Sequence, residues 1–466
     1  MKRFVPALRQ RRPLCAGVGP HLIESLEPRR LFAAVSWDGG GDGFSWNDPN
    51  NWSGNSTPAD NDNVTIAAGS PTIVLSGASE QVATLTCSRQ LAISGTLLTV
   101  TSAATLNALS AIIGGGGLSI GGTFTVNASL ILGSASDNSI GDLYFTSSSP
   151  QALAGTGSVQ AVGNDTSYLI NAGASTLTIP SGFNVVGKNL SIFAATPTVT
   201  IVNNGIISAS GAGGNCSVDD IPTSAGTMQA INGGTMTIAT SLTANGPINV
   251  GTGSTFIVNG NLASANSLTV AGVLRVANQL GVNNGTAVAT VGSNAVIVAQ
   301  SVFVGGGRQL NLNDNDMIID YTGTSTIGSW NGSAYTGLTG MIQQGRNGGS
   351  WTGTGIVTGM TAAKDPSTLT NLGIAEASQV LGLSGTQTTL WDGQTVDATT
   401  VLIKYTYNGD ANLDGIVSGD DYFQVDSAFP AHLRSWANGD FTYDGVINGD
   451  DYFFIDSDYP AQKSPL

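Results

Sequence analysis

Between about residues 67 and 320 the chain alternates apolar with small polar residues in short runs, and Gly, Asn or Ser separates one run from the next. Thr235–Ile238, Thr255–Val258, Val273–Val276 and Ala295–Val298 recur with a nearly regular spacing. Shorter apolar runs lie between them at Ile248–Val250, Leu268–Val270 and Val302–Val304, and Leu118–Ile120, Phe124–Val126 and Leu130–Leu132 show the same texture earlier. Alternation with period 2 predicts strands with one buried face. A repeat of about 20 residues built of such strands and tight turns predicts a β-solenoid. One rung cannot bury its inner face alone, whereas stacked rungs bury Ile, Val and Leu in a continuous column. Gly and Asn suit the corners because they tolerate positive φ. About 250 residues at about 20 per rung give roughly a dozen rungs, and at ~4.8 Å per rung a rod of roughly 60 Å. One or two β-sandwiches would also show many short strands. The irregular spacing and Gly-rich corners favour coils. The expected class is mostly β, a right-handed parallel β-helix with a small α-helical C-terminal domain.

The ends of such a rod need caps. Residues 35–66 read as the N-terminal cap and hold three of the seven tryptophans, Trp37, Trp46 and Trp52. These read either as a plug over the first rung or as a stacking surface for sugar rings. The Trp- and Gly-rich segment is similar to the start of many secreted bacterial β-solenoid and autotransporter-like proteins. Residues 321–404 break the rhythm and read as a mixed capping module. There Leu338, Met341 and Ile342 predict a helical turn, and Leu369, Leu372, Ala375 and Ala377 through Leu381 predict a helix. Val401–Tyr407 predicts a strand leading into the last domain, 405–466.

Composition narrows the partners. Only 10% of the 466 residues are charged, against about 25% in typical domains, and 41% are hydrophobic, enough for a substantial core. The net charge of −15 disfavours nucleic acid and anionic lipid surfaces, which would repel it. No apolar run is long enough to span a membrane. Eleven acidic residues lie between Asp410 and Asp458, so the acidity is concentrated at one end. Three cysteines make no disulfide framework; Cys87 and Cys216 read as small core residues.

That acidic end carries the most specific chemistry. Asp410–Asp421 (DANLDGIVSGDD) and Asp440–Asp451 (DFTYDGVINGDD) place oxygen-bearing residues at loop positions 1, 3, 5, 9 and 12, with glycine at position 6. Calcium takes six to eight oxygens, and a loop supplies them from alternate positions. In the first loop Asp410, Asn412, Asp414, Ser418 and Asp421 offer side chains and Ile416 its carbonyl. In the second Asp440, Thr442, Asp444, Asn448 and Asp451 do so, with the carbonyl of Val446. Two calcium ions are expected, and neutral Thr442 makes the second site the weaker. An acidic Gly-rich surface turn is the bland alternative, and two copies in register weigh against it.

Each loop runs into an apolar, helix-length stretch (Tyr422, Phe423, Val425 and Phe429; Tyr452, Phe453, Ile455 and Tyr459), and nothing before either loop reads as an entering helix. Paired loop-plus-exit-helix units ending in Asp, with GDDYF…DS at both 419 and 449, resemble the type I dockerin. The resemblance implies a calcium-folded module that docks onto a cohesin-like or other envelope protein. Loop positions 10 and 11 depart from the family's common small hydroxyl residues, being Gly419–Asp420 and Gly449–Asp450. At the other end, a basic start and the run ESLEPRRLFAA at 24–34 resemble the LEPR-XLL leader of planctomycete surface and secreted proteins, with Phe32 in place of a Leu. Residues 1–34 are thus expected to be an export segment, and the protein secreted or displayed at the cell surface.

An enzymatic role lacks parts. The two histidines, His21 and His432, lie outside the body, so no Ser–His or Cys–His system has a base there. A carbohydrate-active β-helix needs clustered carboxylates. Residues 67–300 hold six acids, Glu80, Asp137, Asp142, Asp165, Asp219 and Asp220, of which only the last two are adjacent. The expected function is a non-enzymatic scaffold or adhesin docked through its calcium loops. The alternative is a lyase- or hydrolase-like, or accessory, component of polysaccharide degradation.

Overall fold

The computed structural model describes residues 33–466 apart from residues 174 and 366. The leader expected at 1–34 lies, but for its last two residues, outside the described residues. Strands stack along one axis into two long sheets. One has 23 strands and spans Ala34–Ser36 to Thr400–Tyr407; the other has 13 and spans Ile73–Ser76 to Gly355–Val357. The parallel solenoid makes about 12 turns, close to the number expected from the repeat period. Among the described residues no helix is long and apolar enough to cross a membrane.

The period-2 runs become strands with alternating burial, as in Thr235–Ile238 and Thr255–Val258, where every second residue is buried. Parallel register then makes columns. Cys216 stacks on Met236, Met236 on Phe256, Phe256 on Leu274, and Leu274 on Ile297, all buried. Each such side chain contributes about 1.5–3 kcal/mol by leaving water. Polar residues form ladders of their own. Asn127 Nδ2 donates to Asn107 Oδ1 at 2.8 Å, and Asn107 Nδ2 to Ser88 Oγ at 3.0 Å. A β-sandwich joined by hairpins would pair its strands antiparallel; here successive rungs pair in parallel. Cys87 and Cys216 are buried and free, and burial pushes their thiols up to about 11 and about 12.

Parallel stacking runs past both ends of the repeat read from sequence. Ala34–Ser36 already pairs in parallel with Asn63–Ile66, and Gly355–Val357 extends the smaller sheet beyond Gln309–Asn311. At the N-terminal end Trp37, Trp46 and Trp52 are buried. The Trp52 ring meets Trp37 and Trp46 edge-on at 4.9 and 4.8 Å, and its Nε1 donates to the Trp46 carbonyl at 2.6 Å. They form a plug and leave no open ring face for a sugar.

At the other end pairing changes sense. Asp316–Asp320 pairs antiparallel with Thr400–Tyr407, which pairs antiparallel with Thr370–Glu376. The helix expected over 369–381 is therefore wrong for most of its length: Thr370–Glu376 is a strand, and only Ala377–Val380 (α2) is helical. That strand is buried on both faces, so it lacks the alternation that separates strand from helix. The helical turn expected near Leu338 is a ten-residue helix, α1, Gly337–Arg346. It lies close on the last strand of the smaller sheet, since a Cβ on Gly345 would stand 2.8 Å from Val357 Cγ1.

Replacing Phe256 with Ala should destabilise the chain by about 3–5 kcal/mol in denaturant unfolding, whereas Thr255→Ala, on the outward face, should stay within about 0.5 kcal/mol. Equal effects would show that the inner column is not the source of stability.

Candidate metal centre

The last domain holds α3, Gly419–Ala428, and α4, Gly449–Ala461, each following one acidic loop. A strand, Thr400–Tyr407, leads into the first loop, and a single helical turn, Trp436–Asn438, into the second. Neither has an entering helix of ordinary length.

Both loops fold around their own carboxylates. Asp410 Oδ1 accepts the N–H of Asp414 at 3.1 Å, and Oδ2 that of Gly415 at 2.9 Å. Asp440 takes the N–H groups of Asp444 and Gly445 at the same distances. Gly415 and Gly445, at φ 89° and 83°, turn those amides inward. At position 12, Asp421 Oδ1 accepts from Ala411 N at 2.9 Å and Oδ2 from Ser418 N at 2.7 Å. Asp451 does the same with Phe441 N at 2.9 Å and Asn448 N at 3.0 Å. Positions 1 and 12 are thereby drawn to one place. Ser418 and Asn448 each cap a helix, accepting from Asp420 N at 3.2 Å and Asp450 N at 2.8 Å and completing capping boxes with Asp421 and Asp451.

The other expected ligands are placed differently. Asp414 and Asp444 are exposed and accept from the loop N–H groups of Ile416 at 3.0 Å and Val446 at 2.9 Å. Asn412 Nδ2 donates to Asp414 Oδ2 at 3.1 Å, and Thr442 Oγ1 to Asp440 Oδ1 at 3.3 Å. Ile416 and Val446 bring no polar side chain. Among the described residues no three Asp, Glu, His or Cys side chains gather as a ligand group.

The electrostatics are one-sided. Asp410, Asp421, Asp440 and Asp451 are completely buried. The only ion pair among the described residues lies elsewhere, between Lys404 and Asp316 at 3.5 Å. Burial pushes Asp410 up to about 7 and Asp451 up to about 6, and raises Asp421 and Asp440; the N–H bonds they accept pull the other way. A buried carboxylate without a counter-charge is costly. Each carboxylate has about four lone-pair sites, so the amides leave acceptor capacity over. Arg346 of α1 lends positive charge to Asp440 and Asp451 without forming an ion pair to either, and oxygen-only donors in excess negative charge fit a hard divalent cation in kind.

Residues far outside the loops complete them. The Tyr335 hydroxyl donates to Asp440, which together with burial raises the phenol well above its ordinary value. From α1, Gln343 Nε2 donates to the Tyr443 carbonyl at 2.7 Å and Arg346 Nη1 to the Thr442 carbonyl at 3.1 Å. Asn371 Nδ2 donates to the Phe441 carbonyl at 3.1 Å, and the Trp330 ring occupies the space a Cβ on Gly445 would need. The second loop is thus built into the module that ends the solenoid. The first rests on the Thr406 hydroxyl and the chain's final residues: Gln462 bridges the N–H and carbonyl of Val417 at 2.7 and 2.6 Å. Trp436 joins the two halves, donating to the Asp410 carbonyl at 2.7 Å and stacking on Tyr443 at 5.6 Å.

The acids weighed for catalysis are placed as follows. Asp165 is exposed. Asp220, at φ 60°, uses Oδ2 to accept the Ala194 N–H at 3.2 Å. No family model, no curated protein and no solved structure matches this chain.

Loss of the Tyr335 hydroxyl in Tyr335→Phe should cost about 1–3 kcal/mol and lower the melting temperature; an unchanged value would mean that the bond to Asp440 carries no stability. Asp458 of α4 is buried with Oδ2 unpartnered, and burial pushes it up to about 8. A folded value above the unfolded one makes its contribution complete below about pH 4 and lost as pH rises through about 8. In chelator the melting temperature should therefore fall from about pH 5 to about pH 9, and Asp458→Asn should flatten that fall by a few degrees. An identical slope in the variant would count against it.

Proposed function

We propose that this chain is a secreted or surface-displayed β-solenoid scaffold or adhesin whose C-terminal loops bind two calcium ions and whose paired helices dock a cohesin-like or other envelope protein. One observation carries the proposal: four completely buried carboxylates at matching positions of two loops, with no ion pair among them. Asp410, Asn412, Asp414, Ser418 and Asp421, with the Ile416 carbonyl, would hold one ion. Asp440, Thr442, Asp444, Asn448 and Asp451, with the Val446 carbonyl, would hold the other. Calcium would supply the close positive charge that no ion pair gives these carboxylates.

The helix surface supports the docking half. Tyr422 donates to Asp456 of the opposite helix and Tyr452 to Asp426, each at 2.7 Å, so α3 and α4 brace each other reciprocally. Their outer sides leave Phe423, Phe453 and Tyr459 exposed, large aromatics of the kind that anchor interfaces. The solenoid then serves as a spacer between that anchor and whatever its long faces meet.

The full chain, stripped of metal with chelator and then freed of the chelator, should take up two calcium ions per molecule by titration calorimetry, with a rise in melting temperature of at least several degrees. Asp410→Ala with Asp440→Ala should abolish both effects, and Phe423→Ser with Phe453→Ser should keep them while losing calcium-dependent retention of an envelope protein. A wild-type chain that neither binds calcium nor melts higher in its presence sinks the proposal.

A further inference from the structure

Outward columns on the larger sheet are mostly Ser and Thr, such as Ser217 on Thr237 and Thr235 on Thr255. Three successive rungs depart from that. Gly141–Phe145 turns Asp142 and Tyr144 outward, Ser167–Asn171 turns Tyr168 and Ile170 outward, and Leu190–Ala194 turns Ser191 and Phe193 outward. The inner column is already filled at these rungs by Leu143, Phe145, Leu169 and Ile192, all buried. The rings are therefore not needed for the core.

Register gathers them. Asp142 stacks on Tyr168 and Tyr168 on Ser191; beside them Tyr144 stacks on Ile170 and Ile170 on Phe193. With ~4.8 Å between rungs, Tyr144 and Phe193 stand about 10 Å apart along the axis, and Tyr168 meets the Phe193 ring edge-on at 6.1 Å. Tyr144 lies over Gly117 of the preceding rung: a Cβ there would come within 3.1 Å of the ring and 3.0 Å of exposed Leu97. Within this apolar strip sits Asp142, and Asp219 follows Phe193 on the next rung, its N–H bonded to the Ile192 carbonyl at 2.9 Å. Asp142 Oδ2 accepts the Tyr144 hydroxyl at 3.0 Å, Oδ1 is buried without a hydrogen-bond partner, and no ion pair reaches the group.

Partly exposed rings in a row, interleaved with hydroxyls and one acceptor carboxylate, match a sugar chain. The rings take the apolar C–H faces, and Asp142, Tyr168 and Ser191 take the hydroxyls. Charge selects among such chains. Asp142 and Asp219, neither in an ion pair, outweigh the nearby Lys188, and that negative balance repels polyuronates and the phosphates of single-stranded nucleic acid. We infer that Tyr144, Tyr168, Ile170 and Phe193, with Leu97 at one end and Asp142 among them, form a track on the outer solenoid face for about three rings of a linear neutral or amino-sugar glycan. This is independent of the calcium loops at the far end.

Hexasaccharides of β-linked glucose, β-linked N-acetylglucosamine and galacturonate, titrated calorimetrically into the full chain, test it. One of the first two should bind in the submillimolar range and the galacturonate should not. Tyr168→Ala with Phe193→Ala should weaken binding at least about tenfold, Asp142→Asn should weaken it without touching the rings, and Phe303→Ala, an exposed ring elsewhere, should leave it unchanged. Absence of binding by both neutral and amino-sugar probes at millimolar concentration overturns the inference, as does preference for galacturonate or unchanged binding in the double variant. A wild-type dimer that the double variant dissociates also overturns it, assigning the strip to a second copy of the chain.

Discussion

In a parallel solenoid every strand finds its hydrogen-bond partners above and below, never beside it, so each rung depends on its two neighbours. The column from Cys216 through Met236, Phe256 and Leu274 to Ile297 is one consequence, because inward side chains fall in line once backbones stack in register. Exposed ends are the other. A terminal rung has one unpaired edge, and such an edge is a template for aggregation. The chain meets this twice by different means: a knot of three tryptophans at the start and a reversal of strand direction at the finish.

The acidic loops belong to that second solution. Gly373, on the strand Thr370–Glu376, has no room for a Cβ because Leu413 and the Trp436 indole lie against it. Tyr335, Gln343 and Arg346 reach the second loop from the capping module. The loop domain is therefore packed onto the end of the rod. Its four buried carboxylates are the cost of that position, since every one sits where water cannot solvate it. A cation bound there would relieve the loops and firm up the seal together.

The two surfaces proposed above lie on different elements of the chain. The outer face of the solenoid presents whatever its columns carry at a fixed ~4.8 Å pitch, as the column of Tyr144, Ile170 and Phe193 shows. The helices α3 and α4 leave Phe423, Phe453 and Tyr459 exposed. The proposed roles, a binding strip along the side and an attachment through the helices, rest on these placements.

What the sequence determined by itself was local. Period-2 runs that return at a nearly regular spacing specify a stacked β-coil, because burial alternates with every residue and each turn repeats the last. The paired acidic loops were legible because their carboxylates lie within one short segment, and their glycines mark the turn. Thr370–Glu376 was misread because burial on both faces erases alternation. Only the tertiary structure decided the rest. Tyr335 meets Asp440 across a long stretch of intervening chain, and no local pattern records such a contact. Rung length varies as well: the turn that carries Asp142 onto Tyr168 is longer than the one that carries Met236 onto Phe256. Each turn absorbs a different length of chain, so which outward side chains become neighbours is set by stacking and not by spacing along the chain.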